Sequence, residues 1–592
     1  MCVGDDFNKI KRKFNFPSNK KNYIYKNLNL KFMKIKKVIT LCLIALSSLS
    51  FAQVTLTNGP ELDNDRDSKL NRMLGGDENS FFAYRIRSRG RGTSFIIEKY
   101  DKKTLKPLFS KEVNLDEEGN TKIEDVEYSK GNVFIFRRQY DKKADKMTLF
   151  FQTVSSEGLV SPTLKEITVV SADHYEFVDF DIFPNPSQTK FIIKSSHKAN
   201  KEDSYKTDFI LMDAVSFKKV WTKTVDQKLH NNGGASAGAV VSNILFGTGI
   251  KSEAEGVGFL GLLLDDKDNL YWGYNALAKK ATKDELRYRL NLFTLNAADQ
   301  KEKQLELLFD DDYLVSDIEF SKTKDDEIVL GGFIKDVIER KGRDLVKCGV
   351  FSFKINVTNN TIAAKTFKFF DDKLLTALES NPRRSRYFKY KLDYILPVGD
   401  ATYYVGEQYK EQFQNNNSSI GFGTSNAFGS NRGNWIYEYM DVIVAKLDSK
   451  GEFEWIKNSP LRNEMQIGEV SHVFKQYIAI ATSKNLYILN DDHPKNIERY
   501  QKADFEPKDL KSVRGIHGSN FVCNVISLKD GNVTKREVLM KNEDYCFAPI
   551  QERNLMFVPP SDCEIFVPSA NNEIFIYTED RGRDRFAKIK FE

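Results

Sequence analysis

Short runs of alternating apolar and polar residues fill the chain from about residue 80 onward, and few stretches carry the 3.6-residue period of an amphipathic helix. Segments 80–88, 93–100, 147–154, 206–212, 288–295, 346–355 and 521–528 show the period of two expected of half-buried strands. The stretch 394–457 predicts four strands in succession, at 394–398, 401–409, 437–447 and 452–457. The last two meet at the tight turn Asp448-Ser449-Lys450-Gly451. A four-stranded up-and-down sheet is the unit of radial β-folds. The best helix candidate is short, 371–379, and stops near Pro382.

The turn between the third and fourth strands of that unit recurs. Asp101, Thr104 and Phe109 have the spacing of Asp213, Ser216 and Trp221, and the segment from Asp448 to Trp455 is the same device one residue shorter. An Asp opening a turn accepts bonds from its own backbone, while the closing aromatic packs into the sheet. Weaker copies lie at 155–158, 296–300, 356–360 and 529–532. Third strands number eight, the last at 585–591, and that final unit lacks a fourth strand of its own. Segment 54–57 can supply it and close the ring, which removes two exposed edges. The fold expected is all-β, a β-propeller of four-stranded blades, eight preferred and seven the alternative.

Charge has to be read without the N-terminus. Met33-Lys34-Ile35-Lys36-Lys37, the apolar run 38–49 and Ser50-Phe51-Ala52 form a secretory signal cleaved before Gln53, too short to span a bilayer. Residues 1–32 read as an upstream extension, and 53–592 as a single propeller domain with insertions at 229–256 and 412–435. Residues 1–52 hold 11 Lys and Arg against 2 Asp and Glu, so the formal charge of +6 becomes −3 for the remainder. This removes the case for a nucleic-acid partner, and the mature chain shows no transmembrane span. Export places it in the periplasm or at the outer membrane, with an extracellular position open. Four cysteines remain. Cys546 and Cys563 are the first choice for a disulfide in an oxidising compartment; four buried thiols are the preferred reading.

The two insertions are the candidate binding loops, because long loops on a rigid scaffold are where binding residues gather. The first contains Phe246; the second intersperses Phe413, Phe422, Phe428 and Trp435 among Asn, Ser and Gly. Arg383, Arg384, Arg386 and Lys389, interleaved with aromatics, form a candidate basic patch. Arg85, Arg87, Arg89 and Arg91 form a second, for which a solvated face is the plainer reading.

The hairpins at Asp213–Trp221 and Asp448–Trp455 resemble the tryptophan-docking turn of quinoprotein-like eight-bladed propellers, with Phe217 where those have glycine. That family's quinone cofactor accompanies a vicinal cysteine pair; none exists here, so no cofactor is carried over. The pieces Tyr403–Tyr409, Asp441–Asp448, Asn490–Asn496 and Arg585–Phe591 resemble a group of exported propeller-like proteins of Gram-negative bacteria, which has no assigned activity.

Catalytic motifs fail on context. Gly234-Ala235-Ser236-Ala237-Gly238 has the letters of a nucleophile elbow without its strand and helix. Asp265-Asp266-Lys267-Asp268-Asn269 lacks the glycine and distal Glu of a calcium loop and reads as a charged turn. The six histidines are scattered, and neither a metal nor a cofactor is expected. The chain therefore reads as a non-catalytic binding or scaffold propeller of the cell envelope, with a protein or glycan partner. The alternatives are a glycan- or peptide-directed hydrolase with channel carboxylates, or a lectin-like module using Trp435.

Overall fold

The structure, a computed structural model, describes residues 54–591 except 63–67, 90–91, 115–120, 172–177, 199–203, 229–256, 278–287, 310–312, 316–317, 325, 337–347, 379–388, 416–432, 468–475, 503–504, 515–517, 542–545, 548–565, 570–571 and 581–582. The alternating segments pair into eight antiparallel sheets built on four strands each, labelled a to d from the centre outward. Blades 1 to 7 span 68–113, 121–171, 179–228, 257–307, 313–369, 389–467 and 477–540. Innermost strands of blades 1 to 7 touch in order, that of blade 8 meets that of blade 1, and blade 8 meets blade 7 through Cys546–Phe547, which lies against strands b and c of blade 7. The protein is an eight-bladed β-propeller.

Closure uses both ends of the described chain. In blade 8, Arg583–Phe591 is strand c and Val54–Asn58 is strand d. Beyond that strand the backbone stays in register, as the Gly59 N–H donates to Phe586 O at 2.8 Å and the Leu62 N–H to Asp584 O at 2.7 Å. The edge that Arg583–Phe591 would expose is thereby covered.

Each blade alternates, so its two faces pack against the blades on either side, and the core is a ring of inter-blade clusters. Phe134, Phe136 and Phe151 of blade 2 meet Phe191 and Met212 of blade 3, with the Phe134 and Phe191 rings 4.9 Å apart, edge to face. Between blades 8 and 1, Phe575, Tyr577 and Phe586 pack on Phe81 and Tyr100. The helix Asp372–Leu378 forms within one residue of the expected bounds at each end; Asp371 Oδ1 accepts the Leu374 N–H at 2.7 Å, and Leu374 and Leu378 are buried.

The repeated turn is real, and five blades share its longer form. Leu105, Phe217, Gln300, Asn360 and Gly531 each stand four residues after the opening residue and adopt φ between 50° and 72°. Asp101 Oδ1 accepts from Thr104 Oγ1 at 2.7 Å, and Asp213 Oδ1 from Ser216 Oγ at 2.8 Å. Blades 2 and 6 use the shorter form, with glycine in the left-handed position (Gly158 φ 81°, Gly451 φ 91°). A donor from one blade caps the turn of the next. Lys99 Nζ reaches Ser156 O at 3.2 Å, Lys303 Nζ reaches Asn359 O at 2.7 Å, and Lys354 Nζ reaches Ser449 O at 3.0 Å. Trp455 Nε1 completes the series by donating to Lys529 O at 3.2 Å.

Candidate functional site

Antiparallel pairing puts the a–b and c–d turns of every blade on one face and the b–c and d–a connections on the other. The first face is tight: no connection there exceeds ten residues. The second receives the long ones, from Lys228 to Val257, Phe369 to Lys389, Asn415 to Gly433 and Asp492 to Asn520. Long connections concentrated on one side of a rigid ring are the usual setting of a binding surface.

Phe246, Phe422, Phe428, Arg383, Arg384, Arg386 and Cys563 lie outside the described residues. For all of these but Cys563, the strand ends from which the segments leave, and to which they return, belong to this second face; the segment of Cys563 runs between Phe547 and Phe566, whose register partners Thr578 and Ile576 lie within one strand. Lys389 opens strand a of blade 6 and is half-buried. Cys546 opens a short strand whose register partner is Glu579. Cys348 and Cys523 are buried, and burial raises the Cys523 thiol pKa far above its usual value, with Glu537 adding to it.

Two expectations need correction. The insertion 412–435 is not a loop throughout: strands Ala401–Asn415 and Gly433–Leu447 continue into it, so Phe413 pairs with Trp435, and Trp435 with Ile467. Asn and Gln resembled loop chemistry, but ladder bonds use backbone groups that every residue except proline supplies. The second basic cluster is not a solvated face at Arg85. Its side chain is buried, with Nε 2.7 Å from Glu98 Oε2 and Nη1 3.2 Å from Asp584 Oδ2 of blade 8. Tyr100 Oη also donates to Glu98 Oε2, at 2.6 Å. Alternation can place an arginine on a face; only the neighbouring blade shows that the face is covered.

Buried charge also organises the innermost strands, through residues that sequence reasoning missed. Strand a bulges at the same place in blades 1, 2 and 6, and the extra residue is Asn71, Glu124 or Asp393. Each is buried and bonded. Asn71 Oδ1 accepts the Ile86 N–H at 3.1 Å, Glu124 Oε1 the Phe180 N–H of blade 3 at 3.2 Å, and Asp393 Oδ2 the Tyr477 hydroxyl of blade 7 at 2.8 Å. Beside the first two bulges, Arg72 of blade 1 holds Asp125 at 3.0 Å and Glu127 at 2.7 Å, both from blade 2. A signal was available: Leu70-Asn71-Arg72-Met73, Ile123-Glu124-Asp125-Val126 and Leu392-Asp393-Tyr394-Ile395 all interrupt the apolar alternation at one place.

Two carboxylates share one guanidinium in this seam, so burial, then the Glu127 charge, push the Asp125 pKa up to about 7 against the pull of Arg72. The folded state then holds a proton that the unfolded chain releases near pH 3.8. Stability should be unaffected by this group below that pH, fall as pH rises toward 7, and level off above it. The loss amounts to at most about 4 kcal/mol. Urea melts of the wild type and Asp125→Asn across pH 4–8 check this. The expected result is a flatter profile in the variant; parallel profiles would refute it.

The longest described excursion on the second face belongs to blade 7. Asn496 anchors it: Nδ2 donates to Asp492 Oδ1 at 2.7 Å and to Lys511 O at 2.9 Å, while Oδ1 accepts the Lys511 N–H at 2.9 Å. Arg536 pairs with Asp492 at 3.1 Å and stacks 3.3 Å over the Tyr500 ring. The strand Val513–Arg514 then adds in parallel to Phe453–Ile467 of blade 6. Among the described residues no three His, Cys, Asp or Glu gather as a metal site, and no helix is long and apolar enough to cross a membrane.

No protein-family model and no curated protein matches this chain. Solved propellers are similar to it. The β-propeller domain of the Trilobed protease from Pyrococcus furiosus aligns at 8% identity over 81% of this chain and 97% of that one, with a TM-score of 0.32. The WD40 domain of SCAP from fission yeast aligns at 7% identity over 91% and 97%, TM-score 0.32. Polysaccharide lyase Uly1 aligns at 9% identity over 90% and 99%, TM-score 0.33. Likeness at this level carries no functional argument, and the fold rests on the strand order itself.

Proposed function

We propose that the protein is an exported, non-catalytic binding or scaffold propeller of the cell envelope, acting through the face that gathers its long connections. The observation that carries this reading is the asymmetry between the two faces: tight, mutually capped turns on one, and the long connections, including the anchored blade-7 excursion, on the other. The signal-like pattern at 33–52 supports export. The hydrolase alternative draws no support from Asp125 and Glu127, since both are buried against Arg72.

Site-specific photo-cross-linking in whole cells tests the reading. A cross-linking residue at exposed Gln501, on the second face, is expected to capture an envelope partner or glycan-bearing species. One at exposed Lys450, on the tight face, is expected to capture none. Equal capture from both positions would defeat the proposal.

A further inference from the structure

Strand d of blade 8 runs into Asn58-Gly59-Pro60, and the ring closes through these residues. Pro60 has no N–H to offer. Pairing beyond the strand therefore passes from the Gly59 N–H, bonded to Phe586 O at 2.8 Å, to the Leu62 N–H, bonded to Asp584 O at 2.7 Å. Position 59 accepts only glycine. A Cβ there would lie 2.6 Å from Leu105 Cβ, in the c–d turn of blade 1, and 2.9 Å from Phe586 O, in strand c of blade 8. Both neighbours are buried, and Leu105 is itself held in the left-handed turn at φ 57°. The glycine is a requirement of the seam between blades 8 and 1.

That requirement makes Asn58 chemically labile. An asparagine followed by glycine loses its amide readily, because no side chain on the next residue shields the backbone nitrogen. The Gly59 nitrogen gives up its proton and bonds to Asn58 Cγ, the Cγ–Nδ2 bond breaks, and the proton leaves with ammonia. Water then opens the cyclic imide at either carbonyl, to aspartate or to isoaspartate. In isoaspartate the main chain runs through the former side chain and is longer by one carbon. Asn58 is exposed, and among the described residues no side-chain hydrogen bond holds its amide. What opposes the reaction is the closed ring, since the attacking N–H is donated to Phe586 O and its peptide is wedged between two buried neighbours.

We infer that Asn58 is a deamidation site masked by ring closure, so that isoaspartate at this position records opening of the closing strand and then makes it permanent. The added carbon puts the Gly59 and Leu62 N–H groups out of register with Phe586 and Asp584, which uncovers the edge of Arg583–Phe591. Peptide mass spectrometry of the intact chain, aged at pH 8 folded and in urea, tests it, with isoaspartyl methyltransferase labelling to report the longer main chain. Asn232-Gly233, the other such pair in the sequence, sets the intrinsic rate in urea. Expected is conversion of Asn58 as fast as Asn232 in urea and about tenfold or more slower in the folded chain, where the open fraction limits the rate. Leu62→Ala trims a buried anchor of the closing segment and should raise the folded rate toward the urea rate. Asn58→Gln, whose longer side chain cyclises far more slowly, should give no product. The aged wild-type chain should gain a larger species on size-exclusion chromatography in proportion to its isoaspartate, and the aged Asn58→Gln chain none. Equal rates folded and in urea, a folded rate unmoved by Leu62→Ala, or an aged wild type indistinguishable from aged Asn58→Gln would each overturn it. The comparison of folded chain with urea decides the masking even where Leu62→Ala fails to fold.

Discussion

Arg72→Ala is expected to destabilise the propeller by about 3–5 kcal/mol at pH 8, read as a lowered urea midpoint with the slope unchanged. The substitution strands Asp125 and Glu127 between blades 1 and 2, both side chains nearly inaccessible to solvent. The loss should shrink at pH 5, where Asp125 holds a proton and only one uncompensated charge remains. A companion variant, Arg72→Met with Asp125→Leu and Glu127→Leu, replaces the charges by apolar groups. It should recover most of the stability, because removing a whole buried ion cluster costs far less than breaking one. A single-site loss below about 1 kcal/mol would show that the seam is not held by charge.

Truncation through Leu62 is expected to have the other large effect. It removes strand d of blade 8, the Gly59 and Leu62 bonds to Phe586 and Asp584, and the buried side chains Val54 and Leu62. Ladder bonds at about 1 kcal/mol each and two buried aliphatics at about 2 kcal/mol each sum to on the order of 5–8 kcal/mol. That is comparable to the whole stability of a typical domain. Calorimetry should show the single transition broadened or lost, and size-exclusion chromatography should show association through the uncovered edge of Arg583–Phe591. A truncated chain that stays monomeric and melts like the full chain would mean that the Arg85–Asp584 pair and the aromatic packing around Phe586 close the ring unaided.

The turn series shows why much of the fold could be read from sequence. Asp101 with Thr104, and Asp213 with Ser216, make their bonds within three residues, so side-chain spacing alone reports the conformation. The closing strand was legible for a related reason: a blade one strand short and an unclaimed alternating segment at the other end have only each other to pair with. Phe413 and Trp435 mark the limit. They were legible as candidates for contact, but their setting was not, since a polar strand and a polar loop share composition and differ only in whether a neighbouring strand takes the backbone bonds.

By itself the sequence determined the all-β class, the repeated hairpin and the preference for eight blades over seven with terminal closure, because alternation and turn chemistry act over two to nine residues; the strand pairing settled the count at eight. Only the tertiary structure decided what the charges do. Arg72 finds its carboxylates 53 and 55 residues away, and Arg85 finds Asp584 at a separation of 499. The broken alternation at Asn71-Arg72 marks a position, but nothing local names the distant partner of either arginine. Whether a charge is solvated or clasped depends on which blade covers it, and that is set by the closed ring as a whole. The same holds for the two faces: alternating connections sort themselves to one side or the other only once the strands have paired.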